Sequence, residues 1–419
     1  VTSKQPIATI FSPSHEISID RSPSGTAKVR INNASNDQGA FRLSYLLADT
    51  EKPGIAATVF AYPDASIGDG SGGYFMMLGS LNGQTVAPVP AKREVVLVLD
   101  RSGSMRGDKL AQAKAAAEQV IAGLADGEAF NIIDYSDSIS SLAGKPVIKS
   151  RETLATAKAY LAGLESNGGT NIHDALIEAM RPNPTSGMLP MVLFLTDGLP
   201  TVGERSEFGI REAVKAANAH KRRIFTFGVG VDVNVPLLAT LADSSRGSPT
   251  IILPNEDVEV QVSRVFRRLQ GPVLGFPSFG VADSSEGLRR LSNLMPKSMP
   301  DIFDGDQIIV FGEYRGNAPM VLKVSGEAFG ASAGATREFQ VHFDPATASV
   351  RNSFVPRLWA SRKITDLINE VRQAGAAGTP VTDPALKEVI DEIVRLSTKH
   401  GILTEYTAFL ATEAPTLST

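Results

Sequence analysis

Two apolar runs that each end in an aspartate constrain the fold of this chain most. Residues 95–100 read VVLVLD and residues 191–197 read MVLFLTD. Such runs are typical of central parallel strands that helices cover on both faces. Helical apolar stripes over 109–124, 154–164 and 258–269 alternate with strand-like runs over 130–135 and 222–230. This alternation predicts an α/β domain over residues 94–270, with a doubly wound, mostly parallel sheet.

The flanks of this region have a different texture. Residues 1–93 and 271–350 hold short β-prone runs separated by turn signals, and each part is small for a sandwich of about 100 residues. We therefore expect the two parts to form one β-sandwich in which the α/β domain is inserted, since insertion at adjacent termini is tolerated. Residues 351–419 predict two amphipathic helices, packed where the domains meet, and a closing strand over 402–410.

Composition excludes several classes of function. The 41 Lys and Arg residues against 45 Asp and Glu residues give a net charge of -4, which argues against a nucleic-acid binder with a basic surface. The absence of cysteine excludes disulfides, a cysteine nucleophile and zinc-thiolate or iron–sulfur sites. No apolar run approaches the roughly 18 residues of a membrane span. The sequence begins at a valine, and we expect it to be part of a longer protein.

Candidate ligands follow the two aspartate-ended strands. Because the carboxyl ends of parallel strands form the binding edge of an α/β sheet, Asp100 and Asp197 should lie together there. Ser102 and Ser104 follow Asp100 on either side of a glycine that permits a tight turn. Thr170 lies in a glycine-rich loop, NGGTN, before another predicted helix.

Two carboxylates and three hydroxyls form a set of oxygen ligands only. Such a set suits a hard cation, Mg²⁺ above all, with Mn²⁺ or Ca²⁺ as alternatives. Five protein oxygens would crowd an octahedron, so some of them should act through water, and one position should stay open to an anionic oxygen. Each segment alone could be a helix cap or a turn. The three segments in this order, at strand ends of one domain, favour a metal site.

The run Asp100-Arg101-Ser102-Gly103-Ser104, with Thr170 and Asp197, resembles the metal-ion-dependent adhesion site of von Willebrand factor type A domains. The flanks resemble the inter-alpha-trypsin inhibitor heavy chain-like proteins, including bacterial members. The similar stretches are residues 11–15 (FSPSH), 104–109 (SMRGDK), 299–303 (MPDIF) with Gly305, 359–364 (WASRKI) and 393–407. They are spread over nearly the whole chain.

The resemblance implies a role for each of the five residues. Ser102, Ser104 and Thr170 match the hydroxyl ligands, and Asp100 and Asp197 match the carboxylates, one or both of them acting through water. It also implies a non-enzymatic module that binds a protein or extracellular-matrix ligand. The expected location is extracytoplasmic: secreted, periplasmic or at the cell surface. The open metal position predicts that the partner contributes an acidic residue.

Two other functions compete with this interpretation. One is an assembly role beside an AAA+ ATPase, as some intracellular von Willebrand A proteins have. A signal peptide upstream in the gene would distinguish an exported adhesion module from this intracellular role. A hydrolase is the third, but no Gly-x-Ser-x-Gly elbow lies within the predicted α/β domain over residues 94–270. Its two aspartates belong to one sheet rather than to two matched β lobes.

Overall fold

A computed structural model gives the fold of the chain. It describes residues 1–3, 7–12, 15, 17–22, 26–31, 41–47, 55–81, 92–269, 272–282, 289–303, 306–328, 335–376 and 383–407. The strands are β1 (Ile7–Phe11), β2 (Ile17–Ser22), β3 (Thr26–Ile31), β4 (Ser44–Leu47), β5 (Ile55–Pro63), β6 (Gly72–Leu81), β7 (Arg93–Asp100), β8 (Ala129–Tyr135), β9 (Ile139–Ser141), β10 (Val147–Ile148), β11 (Leu189–Thr196), β12 (Arg223–Val229), β13 (Pro249–Ile252), β14 (Pro272–Val281), β15 (Leu291–Met295), β16 (Ile302–Phe303), β17 (Gln307–Arg315), β18 (Met320–Glu327) and β19 (Thr336–Phe343). The helices are α1 (Asp108–Gly123), α2 (Arg151–Ala162), α3 (Ile172–Met180), α4 (Glu207–Ala217), α5 (Val235–Ser244), α6 (Val258–Arg268), α7 (Phe354–Ala376) and α8 (Pro384–His400).

The central sheet of the α/β domain is mostly parallel, as predicted. Strands β8, β7, β11, β12 and β13 lie side by side in that order, and all of these pairings are parallel. The short strands β9 and β10 pair antiparallel with β8. Because β7 lies between β8 and β11, the order of the strands reverses at β7. Such a reversal is where open α/β sheets bind ligands.

Helices cover both faces of this sheet because β7 is apolar at every position of its central run. Val95, Leu97 and Leu99 pack towards α1, α2 and α6. Val96 and Val98 point to the opposite face and pack towards α3, α4 and α5. Complete burial of such side chains contributes about 1.5–3 kcal/mol each. The predicted doubly wound fold is confirmed.

Strands from both flanking segments form a second, β-rich unit. Its two four-stranded sheets have the orders β15-β17-β6-β5 and β16-β14-β18-β19. Strand β6 precedes the α/β domain and pairs antiparallel with β17, which follows it. Phe75 and Met77 of β6 share a buried core with Leu322 and Phe343 of the other sheet. The two segments therefore share one sandwich core, while the domain limits predicted from sequence stay a prediction.

The C-terminal helices cover the other face of the sheet that contains β6. Tyr74, Met76 and Leu78 alternate with the residues of the sandwich core and pack against α7 and α8. The indole of Trp359 on α7 donates a hydrogen bond to the carbonyl of Asn293 at 3.2 Å. Strand β6 is thus buried on both faces, which explains its continuous apolar run. None of the helices within the described ranges has both the length and the apolar character needed to cross a bilayer.

A buried ion pair joins the α/β domain to the sandwich. Asp301, just before β16, accepts a hydrogen bond from Arg223 Nε of β12 at 2.6 Å. Arg246, which follows α5, lies 3.5 Å from the same carboxylate. Phe303 of β16 is buried in the core on one face of the central sheet. The stretch 299–303, which carries part of the family resemblance, therefore fastens the two units together.

The chain end differs from the prediction. Residues 402–404 form no strand, and residues 405–407 are helical, so a closing strand over 402–407 is wrong. Thr404 N donates to Thr407 Oγ1 at 2.9 Å, and Thr407 N donates back to Thr404 Oγ1 at 3.3 Å. This reciprocal capping begins a helical turn. Residues 408–410 of the predicted strand, and residues 13, 14 and 305 of the similar stretches, lie outside the described residues.

Candidate metal centre

Three neighbouring strands bring polar side chains to the same level at their carboxyl ends. Asp100 ends β7 and lies opposite Tyr135 of β8 in the parallel register. Its Oδ2 accepts hydrogen bonds from Thr196 Oγ1 at 2.7 Å and from the Tyr135 hydroxyl at 3.3 Å. Burial raises the pKa of the Asp100 carboxyl, and the negative charge of Asp197 raises it further. Hydrogen bonds from Ser102 and Thr196 lower this pKa but only partly offset the effect of burial. Asp100 is therefore held rigidly at the base of the site.

The loop after Asp100 places two hydroxyls side by side. Ser102 N donates to Asp100 Oδ1 at 2.8 Å, so the backbone turns back over the carboxylate. The hydroxyl oxygens of Ser102 and Ser104 are 3.1 Å apart. Met105 is buried beneath this loop, and Gly107, with a φ of 84°, lies immediately before α1. A left-handed residue at that point lets the helix start directly beside the serines.

Asp197 directly follows β11, and its carboxylate links the end of that strand to the loop after Asp100. Its Oδ1 accepts a hydrogen bond from Ser104 Oγ at 2.6 Å. Its Oδ2 accepts one from Lys109 Nζ, in the first turn of α1, also at 2.6 Å. The carboxylate is buried, whereas Ser104 is exposed. Both oxygens of Asp197 are thus engaged by groups on the first loop.

Thr170 reaches the site from a second loop that is tied to both of its neighbours. Gly103 N donates to Gly168 O at 3.0 Å, which links the first loop to the second. Thr170 N donates to Thr201 Oγ1 at 2.8 Å, and Thr201 N donates to Thr170 O at 3.0 Å. The second loop is therefore fastened to the loop that follows Asp197, so the two should move together.

The glycine after Asp197 leaves room between two of the predicted ligands. A Cβ atom at Gly198 would lie 3.8 Å from Ser104 Oγ and 3.9 Å from Thr170 Oγ1. Both hydroxyls therefore face the backbone of Gly198. The structure thus brings all five predicted residues to one edge of the sheet, four through direct hydrogen bonds and Thr170 through this shared position.

The arrangement fits a hard divalent cation. Adjacent oxygen ligands of an octahedral Mg²⁺ are about 2.9 Å apart, given Mg–O distances of about 2.0–2.1 Å. The 3.1 Å separation of the Ser102 and Ser104 hydroxyls matches that edge. Within the described part of the chain, no three His, Asp or Glu side chains cluster as a metal site. A cation here would therefore depend on the hydroxyls as well as on the two carboxylates.

Sequence comparison identifies the domain that carries this site. A family model for the von Willebrand factor type A domain matches residues 93–251. These residues belong to the von Willebrand factor type A family. The match begins with β7 and ends in β13, so it spans all five parallel strands and every predicted metal ligand.

Curated relatives confirm the second predicted resemblance. The chain is 26% identical over 354 residues to inter-alpha-trypsin inhibitor heavy chain H2 of Sus scrofa, covering 78% of this chain and 35% of the relative. It is 27% identical over 373 residues to heavy chain H4 of Homo sapiens, covering 84% of this chain and 38% of the relative. The chain thus spans little more than a third of the length of these relatives.

A solved structure shares the fold beyond the von Willebrand A domain. A von Willebrand factor type A protein from Catenulispora acidiphila superposes with a TM-score of 0.52 at 16% sequence identity. The match covers 83% of this chain and 87% of that chain. At this identity the similarity establishes the fold alone.

A charged network beneath the second loop was missed by the sequence analysis. Arg101 donates to Asp134 through Nε and to Asn167 Oδ1 through Nη1, the latter at 2.6 Å. The hydroxyl of Tyr160 on α2 also donates to Asp134, and burial together with this carboxylate raises the pKa of Tyr160. The acidic residue inside the apolar strand β8 was a signal for such a network. Its partners could not be identified from spacing.

The rim of the von Willebrand A domain carries exposed apolar residues beside the site. Leu199, Val231 and Leu253 follow the adjacent strands β11, β12 and β13 and are 54%, 74% and 47% exposed. A Cβ atom at Gly230 would lie 4.0 Å from Lys109 Nζ, which contacts Asp197. The apolar row therefore begins next to the predicted metal ligands.

Proposed function

We propose that this chain is a metal-dependent protein-binding module of the adhesion type. The observation that carries the proposal is a set of buried oxygen ligands at one sheet edge, Asp100, Asp197, Ser102 and Thr170, that opens to solvent at the exposed Ser104. A site that held an ion for stability alone would need no exposed ligand. The exposed apolar row beside it favours a macromolecular partner over a free anion.

In this proposal the hydroxyls of Ser102, Ser104 and Thr170 hold Mg²⁺, with Mn²⁺ or Ca²⁺ as alternatives. Asp100 and Asp197 complete the site, one or both of them through water. The hydrogen bond of Asp197 supports the indirect role, since Asp197 accepts from the Ser104 hydroxyl, whose oxygen keeps a lone pair for the ion. When bound, the divalent cation supplies an electrophilic position for a carboxylate oxygen of the partner.

The partner is proposed to be a protein or an extracellular-matrix component that presents an Asp or Glu residue. Because Thr170 and Thr201 are hydrogen-bonded in both directions, a shift of Thr170 on ligand binding would carry the loop after Asp197 with it. A ligand favours only the state that it binds better, so partner binding would shift the population towards the displaced loops. The module is proposed to be non-enzymatic and extracytoplasmic.

The hydrogen bond of Ser104 also bears on the hydrolase alternative. A serine nucleophile needs an adjacent base such as histidine. The Ser104 hydroxyl instead donates to a carboxylate that Lys109 already neutralises. An assembly role beside an AAA+ ATPase is separated from adhesion by the upstream gene sequence, because an exported module requires a signal peptide.

An array of paired peptides tests the proposed function. Each peptide with one Asp or Glu is printed beside its Asn or Gln counterpart, and labelled protein is applied in Mg²⁺ and in EDTA. We expect binding only to acidic members and only with Mg²⁺, weakened about tenfold or more by Thr170→Ala, since the contact of a hydroxyl with a charged group contributes about 1.5–3 kcal/mol. Equal binding in EDTA, or to both members of each pair, would contradict the metal-dependent mechanism.

A further inference from the structure

Lys109 places a second cation at the predicted metal site. Its Nζ lies 2.6 Å from Asp197 Oδ2, and the Asp197 side chain is 0% exposed while that of Lys109 is 41% exposed. The ammonium therefore neutralises a carboxylate that solvent cannot reach. The two carboxylates and Lys109 together carry a formal charge of −1 rather than −2.

Both oxygens of Asp197 accept hydrogen bonds from groups of the protein itself. Ser104 occupies Oδ1, and Lys109 occupies Oδ2, each at 2.6 Å. A cation that approaches the hydroxyls of Ser102 and Ser104 would face the Lys109 ammonium across the same carboxylate. Two positive charges that share one carboxylate repel each other, and dissolved salt weakens this repulsion.

The Lys109 side chain also has space to turn away from Asp197. Its side chain is partly exposed at the rim, and Gly230 beside it has no side chain. The lysine can therefore turn towards solvent at little steric cost. Its charge then no longer opposes a divalent ion.

We propose that Lys109 is a counter-cation built into the metal site, which competes with the divalent ion for Asp197. The proposal rests on the proposed function and adds its regulation. It makes the chain bind metal weakly alone and more tightly once a partner carboxylate adds a negative charge. Metal and partner then bind cooperatively, because each reduces the electrostatic cost of the other.

The test measures Mn²⁺ binding by calorimetry and electron paramagnetic resonance, with the metal alone as the probe. We expect Lys109→Gln to bind Mn²⁺ about tenfold more tightly than wild type, since one adjacent positive charge is removed. Lys109→Arg keeps the charge and should bind like wild type. Lys114→Gln is the matched control, because Lys114 lies on the same helix but donates to the carbonyls of Ala162 and Leu164.

The salt dependence identifies the cause. The difference in Mn²⁺ affinity between wild type and Lys109→Gln should become smaller in about 1 M KCl, where the Debye length falls to about 3 Å. A gap that salt does not change, or equal affinities in both proteins at low salt, would overturn the competition while leaving the metal site intact. Circular dichroism checks that each variant is folded. Failure of every folded variant, wild type included, to bind Mn²⁺ would instead overturn the proposed function and this inference with it.

Discussion

Asp301→Asn is expected to lower the free energy of unfolding by about 3–5 kcal/mol, the cost of breaking a buried ion pair from one side. Asp301 and Arg223 are both buried, and their side chains meet between the sandwich and the von Willebrand A domain. Asparagine keeps the shape and can still accept the hydrogen bond that Asp301 Oδ1 receives from Phe276 N. It carries no charge, so Arg223 and Arg246 lose their shared counter-ion. Urea denaturation of both proteins measures the difference.

Asp391→Asn provides the matched control for this prediction. Asp391 pairs with Lys387 on α8, and the two side chains are mostly exposed. Exposed helix pairs of this spacing contribute about 0.3–0.5 kcal/mol, so this variant should stay close to wild type. If Asp301→Asn lost no more stability than Asp391→Asn, the buried pair would not be what fastens the two units.

The central sheet could be predicted because the sequence pattern of each strand lies within the strand itself. The apolar runs that became β7 and β11 are buried on both faces, and that pattern can be read without knowing their neighbours. The contact between Arg223 and Asp301 joins residues 78 positions apart and has no local signal. The short antiparallel strands β9 and β10 were missed for a similar reason, since their pairing with β8 decides their conformation. Long-range pairing therefore limited the prediction.

The candidate site divides in the same way. The five predicted residues could be placed together because strand ends share one sheet edge. The hydrogen bond from Lys109 to Asp197 and those between Thr170 and Thr201 depend on how the loops pack. The spacing of residues along the sequence does not specify that packing. At the chain end, local capping by Thr404 and Thr407 outweighed the β-prone residues around them.

Mg²⁺ is expected to stabilise the wild-type chain, and Asp197→Ala is expected to remove that gain. An ion bound only by the folded state adds about 2.7 kcal/mol at 100 times its dissociation constant. The substitution should leave the fold intact, because the partners of Asp197 are the partly exposed Lys109 and the exposed Ser104, which water can satisfy. Thermal unfolding across a Mg²⁺ titration, with EDTA as the zero point, measures both effects.

Asp232→Ala is the control that distinguishes a specific role of Asp197 as a metal ligand from a general effect of negative charge at this edge of the sheet. Asp232 follows β12 at the carboxyl end of the same sheet and is exposed, but it is not among the predicted ligands. Its variant should keep the full Mg²⁺ gain, because long-range attraction to one exposed carboxylate is largely screened at physiological salt. A Mg²⁺ response in Asp197→Ala equal to that of wild type would remove Asp197 from the metal site. A loss of the gain in Asp232→Ala as well would mean that the net charge of the edge, rather than a defined ligand set, attracts the ion.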